Sequence, residues 1–531
     1  MKVLVTEKIS EYGLKILKEN VDLDVKTGLS QKEIIDIIDQ YDALIVRSAT
    51  NVNKEILERG ANLKVIGRAG NGVDNIDLAT ATKLGIMVVN TPESNNISTA
   101  EHTIALLFAL ARNIPQANES LKAGKWERSL FKGVELYGKV VTVLGLGRIG
   151  SIVASRLKDF GMCVIGYDPY ISEERFEKMG IEKITSMDEV MKRSDFITIH
   201  LPKTEETISI IGEKELNNAK KNLRIINCAR GGLIDEVALY HALKNKIIAG
   251  AAIDVFTQEP KEGLEIKEFK HPLLELDNVI ATPHLGASTT EAQINVGIAI
   301  SEQVVHALQG KLISAVNMPN LQIKDIKKLA PYLDLVHKLG MIYYQIEKSP
   351  IERIEITYSG KFIREDMRLI TLYCLTGLLE PVLKGKVNLI NIEMIAKSRG
   401  IDIIESLSHQ IEYYTNLVSV KIKNKENEVT LAGTIYGKEE LRIVDFMGHK
   451  VDFIPASYNL MIKNTDKPGI IGQIGTILGG IEVNIATMKV SRNLHDNYAL
   501  MILNIDSEIS RTTIKMLQNV DGVQKVNMIS L

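Results

Sequence analysis

Cysteine is scarce. The 531 residues hold three, Cys163, Cys228 and Cys374, too few for a disulfide framework, and no two form a C-x-x-C pair. Net charge is nearly absent as well. Sixty-four Lys and Arg against 66 Asp and Glu leave −2, so no bulk positive field draws in nucleic acid or an anionic membrane. Any anion must be met by locally placed arginines. Nowhere do 18 apolar residues run uninterrupted, so no membrane span is expected. The opening MKVLVTEKIS reads as a strand running into a helix, without the apolar core of a signal peptide. These absences point to a reducing, cytoplasmic setting. What is present, 45 % hydrophobic and 24 % charged residues, is the profile of an ordinary globular chain. Cores rarely grow past about 250 residues, so several domains are expected.

Short apolar runs of strand length recur early: Lys2–Val5, Ala43–Val46, Leu63–Gly67 and Ile86–Asn90. Stretches of helical spacing such as Gln31–Ile38 separate them, the alternation of an α/β lobe with a parallel sheet. Ser98–Asn113 reads as a long apolar helix. A second α/β series begins at Lys139–Leu144 and continues through strands Met162–Tyr167, Phe196–His200, Leu223–Asn227, Ile247–Asp254 and Asn278–Thr282. Ser186 with Glu189 has the spacing of a capping box. A long helix, Thr289–Leu308, follows. Beyond Pro319 the texture changes to helices over Leu329–Glu347 and Met367–Leu383, then alternating strands, with RIVDFMGHKVDF turning as a hairpin near Gly448. The last 75 residues read β-α-β-β-α-β, a ferredoxin-like sandwich. The expected fold class is therefore α/β: two doubly wound, Rossmann-like lobes, a mixed α+β middle domain and a small C-terminal sandwich.

Gly145, Gly147 and Gly150 form a G-x-G-x-x-G fingerprint between a β run and an amphipathic helix. The spacing permits a tight turn, close approach to a pyrophosphate and close helix–strand packing, and the helix N-terminus offers free N–H groups to the anion. The next strand ends at Asp168, 18 residues past Gly150, where a carboxylate accepts from ribose hydroxyls and repels a 2′-phosphate. NAD rather than NADP is expected. A tight turn and a helix cap would account for the same residues singly, but not for strand, spacing and acid together.

In an open parallel sheet, ligands sit beyond the carboxyl ends of the strands. Three such ends carry NCARGG (Asn227–Gly232), DVFTQEP (Asp254–Pro260) and TPHLGAS (Thr282–Ser288). They contribute an arginine, a glutamate and a histidine. Oxidising a secondary alcohol needs a base for the hydroxyl proton, a carboxylate to hold that base, and a cation to fix an acid substrate. His284, Glu259 and Arg230 fill those roles. The competing histidine, His200, ends a strand without an acid or arginine beside it and reads as structural. No metal is expected.

These blocks, with VRSAT (Val46–Thr50) and GRAGNGVDNID (Gly67–Asp77), resemble the long form of the D-3-phosphoglycerate dehydrogenases, within the D-isomer-specific 2-hydroxyacid dehydrogenase family, over essentially the whole chain. The resemblance implies NAD-dependent oxidation of 3-phospho-D-glycerate to 3-phosphohydroxypyruvate, the first step of phosphorylated L-serine biosynthesis. It maps the catalytic arginine, glutamate and histidine onto Arg230, Glu259 and His284. Cofactor contacts fall on Arg148, Ile149, Asp168, Leu201, Cys228, Ala229, Arg230, Asp254, His284 and Gly286, with Asn71 near the nicotinamide. For the substrate phosphate it implies Arg47, with Arg68 and Arg128 as further candidates, the last from a neighbouring subunit. Backbone at Gly70, Asn71 and Gly72 would meet the substrate carboxylate. One departure is visible: Lys261–Asn278 is longer than the family connection, which predicts a surface bulge beside an intact triad.

The resemblance also divides the chain. Residues 1–95, completed by 286–315, form a substrate-binding lobe, 96–285 the NAD lobe, 319–455 an intervening domain and 457–531 an ACT domain. Asn464, Asp466 and Asn484 fall where related dehydrogenases bind serine, and as turn and cap residues they also have a bland reading. A homodimer or homotetramer is expected, with L-serine as a candidate effector. Two rivals stay open: a dehydrogenase for another 2-hydroxy acid (glyoxylate, hydroxypyruvate or a 2-oxoglutarate-linked substrate), and a non-catalytic NAD-sensing protein on the same fold.

Overall fold

The computed structural model describes residues 1–260, 269–319, 323–360, 367–383, 387–408, 413–493 and 497–531. The expected bulge between Glu259 and His284 falls largely on residues 261–268, outside the described residues. Four sheets organise the described residues. The first has five strands in the order Asp22–Val25, Lys2–Val5, Ala43–Val46, Val65–Arg68 and Met87–Asn90. Counted along the chain this is 2-1-3-4-5, one of the two common doubly wound orders. The second has seven strands: Val279–Ala281, Gly250–Ile253, Arg224–Asn227, Phe196–Ile199, Val140–Leu144, Cys163–Tyr167 and Glu182–Lys183. Its pairings are parallel, and its order reverses between Val140–Leu144 and Phe196–Ile199. A ligand crevice is expected outside the strand ends at that reversal.

Contacts divide the described chain into two compact units. One comprises Met1–Asn53, Ile66–Ile76 and Asn90–Val305. Strands of this unit that are buried on both faces are almost wholly apolar, as Ala43–Val46 and Phe196–Ile199 illustrate. The helix Asn96–Arg112 buries nine side chains, including Ile104, Leu107 and Leu110, and ends at Asn113, which takes a left-handed C-cap conformation at φ 54°. The expected capping box at Ser186 does not form. Ser186 stands at the N-cap of Met187–Arg193, but its side chain makes no cap hydrogen bond, since it is exposed and water can serve the first-turn amides. A capping box forms instead at Ser30 with Glu33.

The other unit comprises Lys54–Val65, Asp77–Val89 and His306–Leu531. Its six-stranded sheet runs Asp402–Ser408, Arg353–Gly360, Asn416–Lys423, Glu428–Tyr436, Glu440–Phe446 and His449–Phe453. The order of helices first and strands afterwards needs correction here. Arg353–Gly360 is a strand between the two helices, with Ile354, Ile356 and Tyr358 fully buried on one face. The hairpin near Gly448 is present: Met447 and Gly448 both have positive φ (57° and 80°), as a two-residue turn demands. Helices Ile323–Ile346 and Arg368–Leu379 cross at glycines. A methyl on Gly340 would stand 2.4 Å from the Cys374 carbonyl oxygen, and one on Gly377 would stand 2.1 Å from that of His337.

The last sheet has the order Ile485–Asn493, Tyr498–Ile505, Tyr458–Thr465 and Val523–Ser530, all antiparallel, with helices Ile470–Gly480 and Arg511–Gln518. That is the ferredoxin-like arrangement expected. Its Val523–Ser530 edge is met by Gln345 at the end of the long helix, which accepts from the Ser530 amide at 2.8 Å and donates to the Ser530 carbonyl at 2.9 Å. Gly377→Ala is expected to push the two crossing helices apart and to destabilise this unit by about 1–3 kcal/mol, read as a lower thermal unfolding midpoint with strand content retained.

Candidate active site

The cofactor crevice follows from backbone geometry. Gly145 has φ +88°, and a methyl there would press the His200 carbonyl oxygen at 2.7 Å. One on Gly150 would stand 2.0 Å from the Gly145 carbonyl oxygen, whereas one on Gly147 would meet nothing within 4 Å. The outer glycines pack and the middle one faces open space, which fits a pyrophosphate at the N-terminus of Arg148–Asp159. Asp168 is nearly buried and accepts from the Leu146 amide at 2.9 Å and the Tyr170 amide at 3.0 Å. A carboxylate has about four lone-pair sites, so capacity for ribose hydroxyls remains. The residues present therefore fit a dinucleotide. Arg148 meets Glu93 at 3.4 Å on the surface, Ile149 packs partly against the core, and Leu201 is buried.

His200 bonds Thr198 Oγ1 at 2.9 Å, and burial pushes its imidazole down to about 3. It faces no acid among the described hydrogen bonds and has the structural role read for it.

His284, by contrast, does meet an acid. Its Nδ1 lies 2.7 Å from Glu259 Oε2, and Glu259 Oε1 accepts from the Phe256 amide at 3.0 Å. An acid at Nδ1 selects the Nδ1–H tautomer and leaves Nε2 as a proton acceptor. The backbone of His284 is left-handed at φ 56°, a conformation that costs a non-glycine residue energy. Asp254 compensates. Fully buried, it accepts from Thr282 Oγ1 (2.6 Å) and from the amides of Leu285 (2.8 Å) and Gly286 (3.0 Å), and His102 Nε2 lies 3.2 Å away. Burial works to raise its carboxyl, but the hydrogen bonds from His102, Thr282 and Leu285 outweigh it and hold the group below the ordinary carboxylate range. Ser98 Oγ donates to the Gly286 carbonyl at 2.8 Å on the other side of the turn. Cys228 is buried, and burial beside Asp254 pushes its thiol up, which favours the protonated form.

Arg230 is presented by a turn that Asn227 closes, accepting from the Ala229 amide (3.0 Å) and donating to the Arg230 carbonyl (2.9 Å). Its Nε donates to Asp74 at 3.0 Å. A methyl on Gly72 would stand 2.0 Å from its guanidinium, and one on Gly70 would stand 1.7 Å from that of Arg68, so glycine leaves room for both. Burial, then the positive charges of Arg230 and Arg47, bring Arg68 down to about 10. Its Nε is buried without a hydrogen-bond partner among the described residues. Arg47 lies on a loop that Glu7 holds through the amides of Arg47, Ala49 and Thr50, while Asn75 ties the carbonyls of Arg47 and Thr50. Asn71 accepts from Asn90 through its carbonyl.

Arg128 is exposed, on the short 3-10 turn Arg128–Phe131, and is not among the groups acting on Arg68. In the ferredoxin-like sandwich, Asn464 is buried with its Oδ1 unpartnered among the described residues, Asp466 pairs with Arg492 at 3.3 Å, and Asn484 donates to Asp506 at 2.9 Å. Sequence reasoning missed Glu7, Asp74, Asn75 and His102. All sit inside or beside segments already singled out, yet their partners lie far along the chain.

Residues 104–286 match the D-isomer specific 2-hydroxyacid dehydrogenase, NAD binding domain, and residues 328–447 match the D-3-phosphoglycerate dehydrogenase intervening domain. Over its whole length the chain is 44 % identical to the whole of a D-3-phosphoglycerate dehydrogenase of Methanocaldococcus jannaschii. The chain belongs to the D-isomer-specific 2-hydroxyacid dehydrogenase family. It is thus an NAD-dependent dehydrogenase. Its whole length is also 41 % identical to 99 % of a D-3-phosphoglycerate dehydrogenase of Bacillus subtilis. Among solved members of the family, a D-lactate dehydrogenase from Aquifex aeolicus complexed with NAD and lactic acid is 30 % identical. It covers 58 % of this chain and 96 % of its own, with a TM-score of 0.53. No helix among the described residues is long and apolar enough to cross a membrane.

Two outcomes follow from the geometry. Gly150→Ala is expected to weaken NADH binding at least about tenfold by fluorescence titration, since its methyl meets backbone that the dinucleotide turn needs. Acid should also find His200. In the unfolded chain a histidine takes up its proton below about 6.5, while folded His200 stays neutral down to about 3. The stability gained from burying it neutral is complete above that unfolded value and falls as pH drops from about 6.5 toward 3. His200→Gln is expected to flatten that part of the profile of unfolding midpoint against pH.

Proposed function

We propose that the chain oxidises 3-phospho-D-glycerate to 3-phosphohydroxypyruvate with NAD, the first step of phosphorylated L-serine biosynthesis. The observation that carries this reading is the convergence of Arg68 and Arg230 on the Gly70–Gly72 turn, where methyls would stand 1.7 and 2.0 Å from their guanidiniums, with Arg47 among the charges acting on Arg68. A simple hydroxy acid brings one negative charge. A carboxylate with a phosphate brings close to three, because a phosphate monoester carries about −1.5 to −2 near neutrality. Three like charges held together, offset only in part by Asp74 and Glu7, cost free energy, which a trianionic substrate returns on binding. Whole-length relatives named D-3-phosphoglycerate dehydrogenase support the same substrate.

In this reading NAD, when bound, would supply the hydride acceptor for the alcohol carbon. His284 Nε2 takes the hydroxyl proton. Glu259 holds the imidazole by Nδ1–H and stabilises the imidazolium that forms. Arg230 clamps the substrate carboxylate with help from backbone at Gly70, Asn71 and Gly72, and Arg47 and Arg68 meet the phosphate, with Arg128 joining from a neighbouring subunit. Arg148, Ile149, Asp168, Leu201, Cys228, Ala229 and Gly286 line the cofactor, while Asp254 shapes the turn beside it.

Residues 1–95 with 286–315 act as the substrate lobe, 96–285 as the NAD lobe, 319–455 as the intervening domain and 457–531 as an ACT domain. Asn464, Asp466 and Asn484 receive L-serine in a cytoplasmic homodimer or homotetramer. The unpartnered Asn464 Oδ1 supports that ligand site.

Absorbance of NADH with purified protein, NAD and 3-phospho-D-glycerate, with and without millimolar L-serine, tests both levels. Turnover is expected, and serine is expected to suppress it. Turnover confined to unphosphorylated hydroxy acids would sink the substrate assignment, and turnover indifferent to serine would sink the effector site alone. Arg68→Ala is expected to raise KM for the phosphorylated substrate by about ten- to a hundredfold. His284→Ala should lower kcat by about 10²–10⁴ with NADH still bound.

A further inference from the structure

Behind Glu259 stands a second carboxylate that the chemistry above does not use. Glu236 opens the helix Glu236–Lys244, whose N-cap, Asp235, accepts from the amides of Val237 and Ala238 and so fixes the first turn. From that turn Glu236 reaches the loop after strand Gly250–Ile253. Its Oε1 accepts from the Thr257 amide at 2.6 Å and from Thr257 Oγ1 at 2.7 Å. Its Oε2 faces His271 Nε2 at 3.2 Å. His271 Nδ1 accepts from the Leu273 amide at 3.3 Å. The ring therefore carries its proton on Nε2 and donates it to Glu236. Phe256 lies 5.0 Å from that ring, and Phe269 stacks on it at 6.2 Å and 17°. Both Glu236 and His271 are only 18 % exposed, where hydrogen bonds to a carboxylate are stronger than in water.

Glu259 lies two residues beyond Thr257. One of its oxygens turns back to the Phe256 amide and the other meets His284. The arc Phe256–Glu259 is thus closed on itself at one end and tied to Glu236 in its middle. Its orientation decides where Glu259 stands. A misplacement of about 1 Å can cost a reacting group a hundredfold in rate.

We propose that Glu236, seated by His271, is a positioning residue: by anchoring Thr257 it sets the direction from which Glu259 holds His284. The proposal rests on the reading of His284 and Glu259 as the acid–base pair. Its energetic content is a fixed backbone position for Glu259, whose side chain is one-third exposed and is held otherwise by the Phe256 amide and His284.

The test is a double-mutant cycle on the full chain, with kcat and KM for NAD and 3-phospho-D-glycerate, NADH affinity by fluorescence, and circular dichroism to report the fold. Glu236→Ala is expected to lower kcat about ten- to a hundredfold while NADH affinity changes by less than about twofold. In a Glu259→Ala background the same substitution should cost less than about twofold, because the group it acts through is gone. Glu236→Gln keeps an oxygen for Thr257 and should recover most of the loss. Equal losses in both backgrounds, or full kcat in folded Glu236→Ala, would overturn the anchor alone. Undiminished kcat in Glu259→Ala would instead overturn the acid–base pair, and the proposal with it. Should Glu236→Ala not fold, Thr257→Val removes the hydroxyl donor alone and enters the same cycle, with a loss of about threefold expected and equal losses again fatal.

Discussion

The buried carboxylate of Asp254 is the interaction on which the site is built. It ends the strand Gly250–Ile253 and collects donors from Thr282, Leu285, Gly286 and His102, groups that the chain brings in from as far as 152 residues away. Those bonds bend the segment after Val279–Ala281 so that His284 sits in a left-handed conformation with its ring beside Glu259. Burial alone would favour a neutral acid. The hydrogen bonds from His102, Thr282 and Leu285 reverse that preference and keep the charge where the turn needs it. The same strand end leads, five residues later, to Glu259. One strand terminus thus fixes both members of the pair.

The arginines show the opposite balance. Where Asp254 is charged and satisfied, Arg68 is charged, largely desolvated and flanked by two cations whose effect Glu7 and Asp74 offset only in part. Such a group is tolerable in a folded protein only where something else meets its cost. The proposed function supplies that compensation from the substrate, so the site holds part of its electrostatics in reserve until an anion arrives. The glycines at 70 and 72 belong to this arrangement, because any side chain there would occupy the space the guanidiniums take.

Much of the fold was legible from period and punctuation. Alternating apolar runs and helical stretches announced both parallel sheets, and the terminal β-α-β-β-α-β order needed no tertiary information. The misses have physical causes. Asp22–Val25 is an edge strand with two aspartates and no buried position, so it lacks the apolar signature that burial imposes. Arg353–Gly360 has the right alternation but lies between helices, where neighbouring pattern masked it. Ser186 has the right residue at the right spacing, yet an exposed helix end gains little from a side-chain cap that water can replace.

By itself the sequence determined that this chain has a dinucleotide turn, an acid at the end of the next strand, and an arginine, a glutamate and a histidine on three strand ends. Those follow from local spacing, which a parallel sheet converts directly into position. Only the tertiary structure decided which groups hold them: Asp254 and His102 for the His284 turn, Glu7 and Asn75 for the Arg47 loop, Asp74 beside Arg230, and Glu236 behind Glu259. Each of these is a pairing between residues tens of positions apart or more, or depends on the orientation of a side chain. Such contacts carry no periodic trace in the sequence, because they are chosen by the packing of elements already formed.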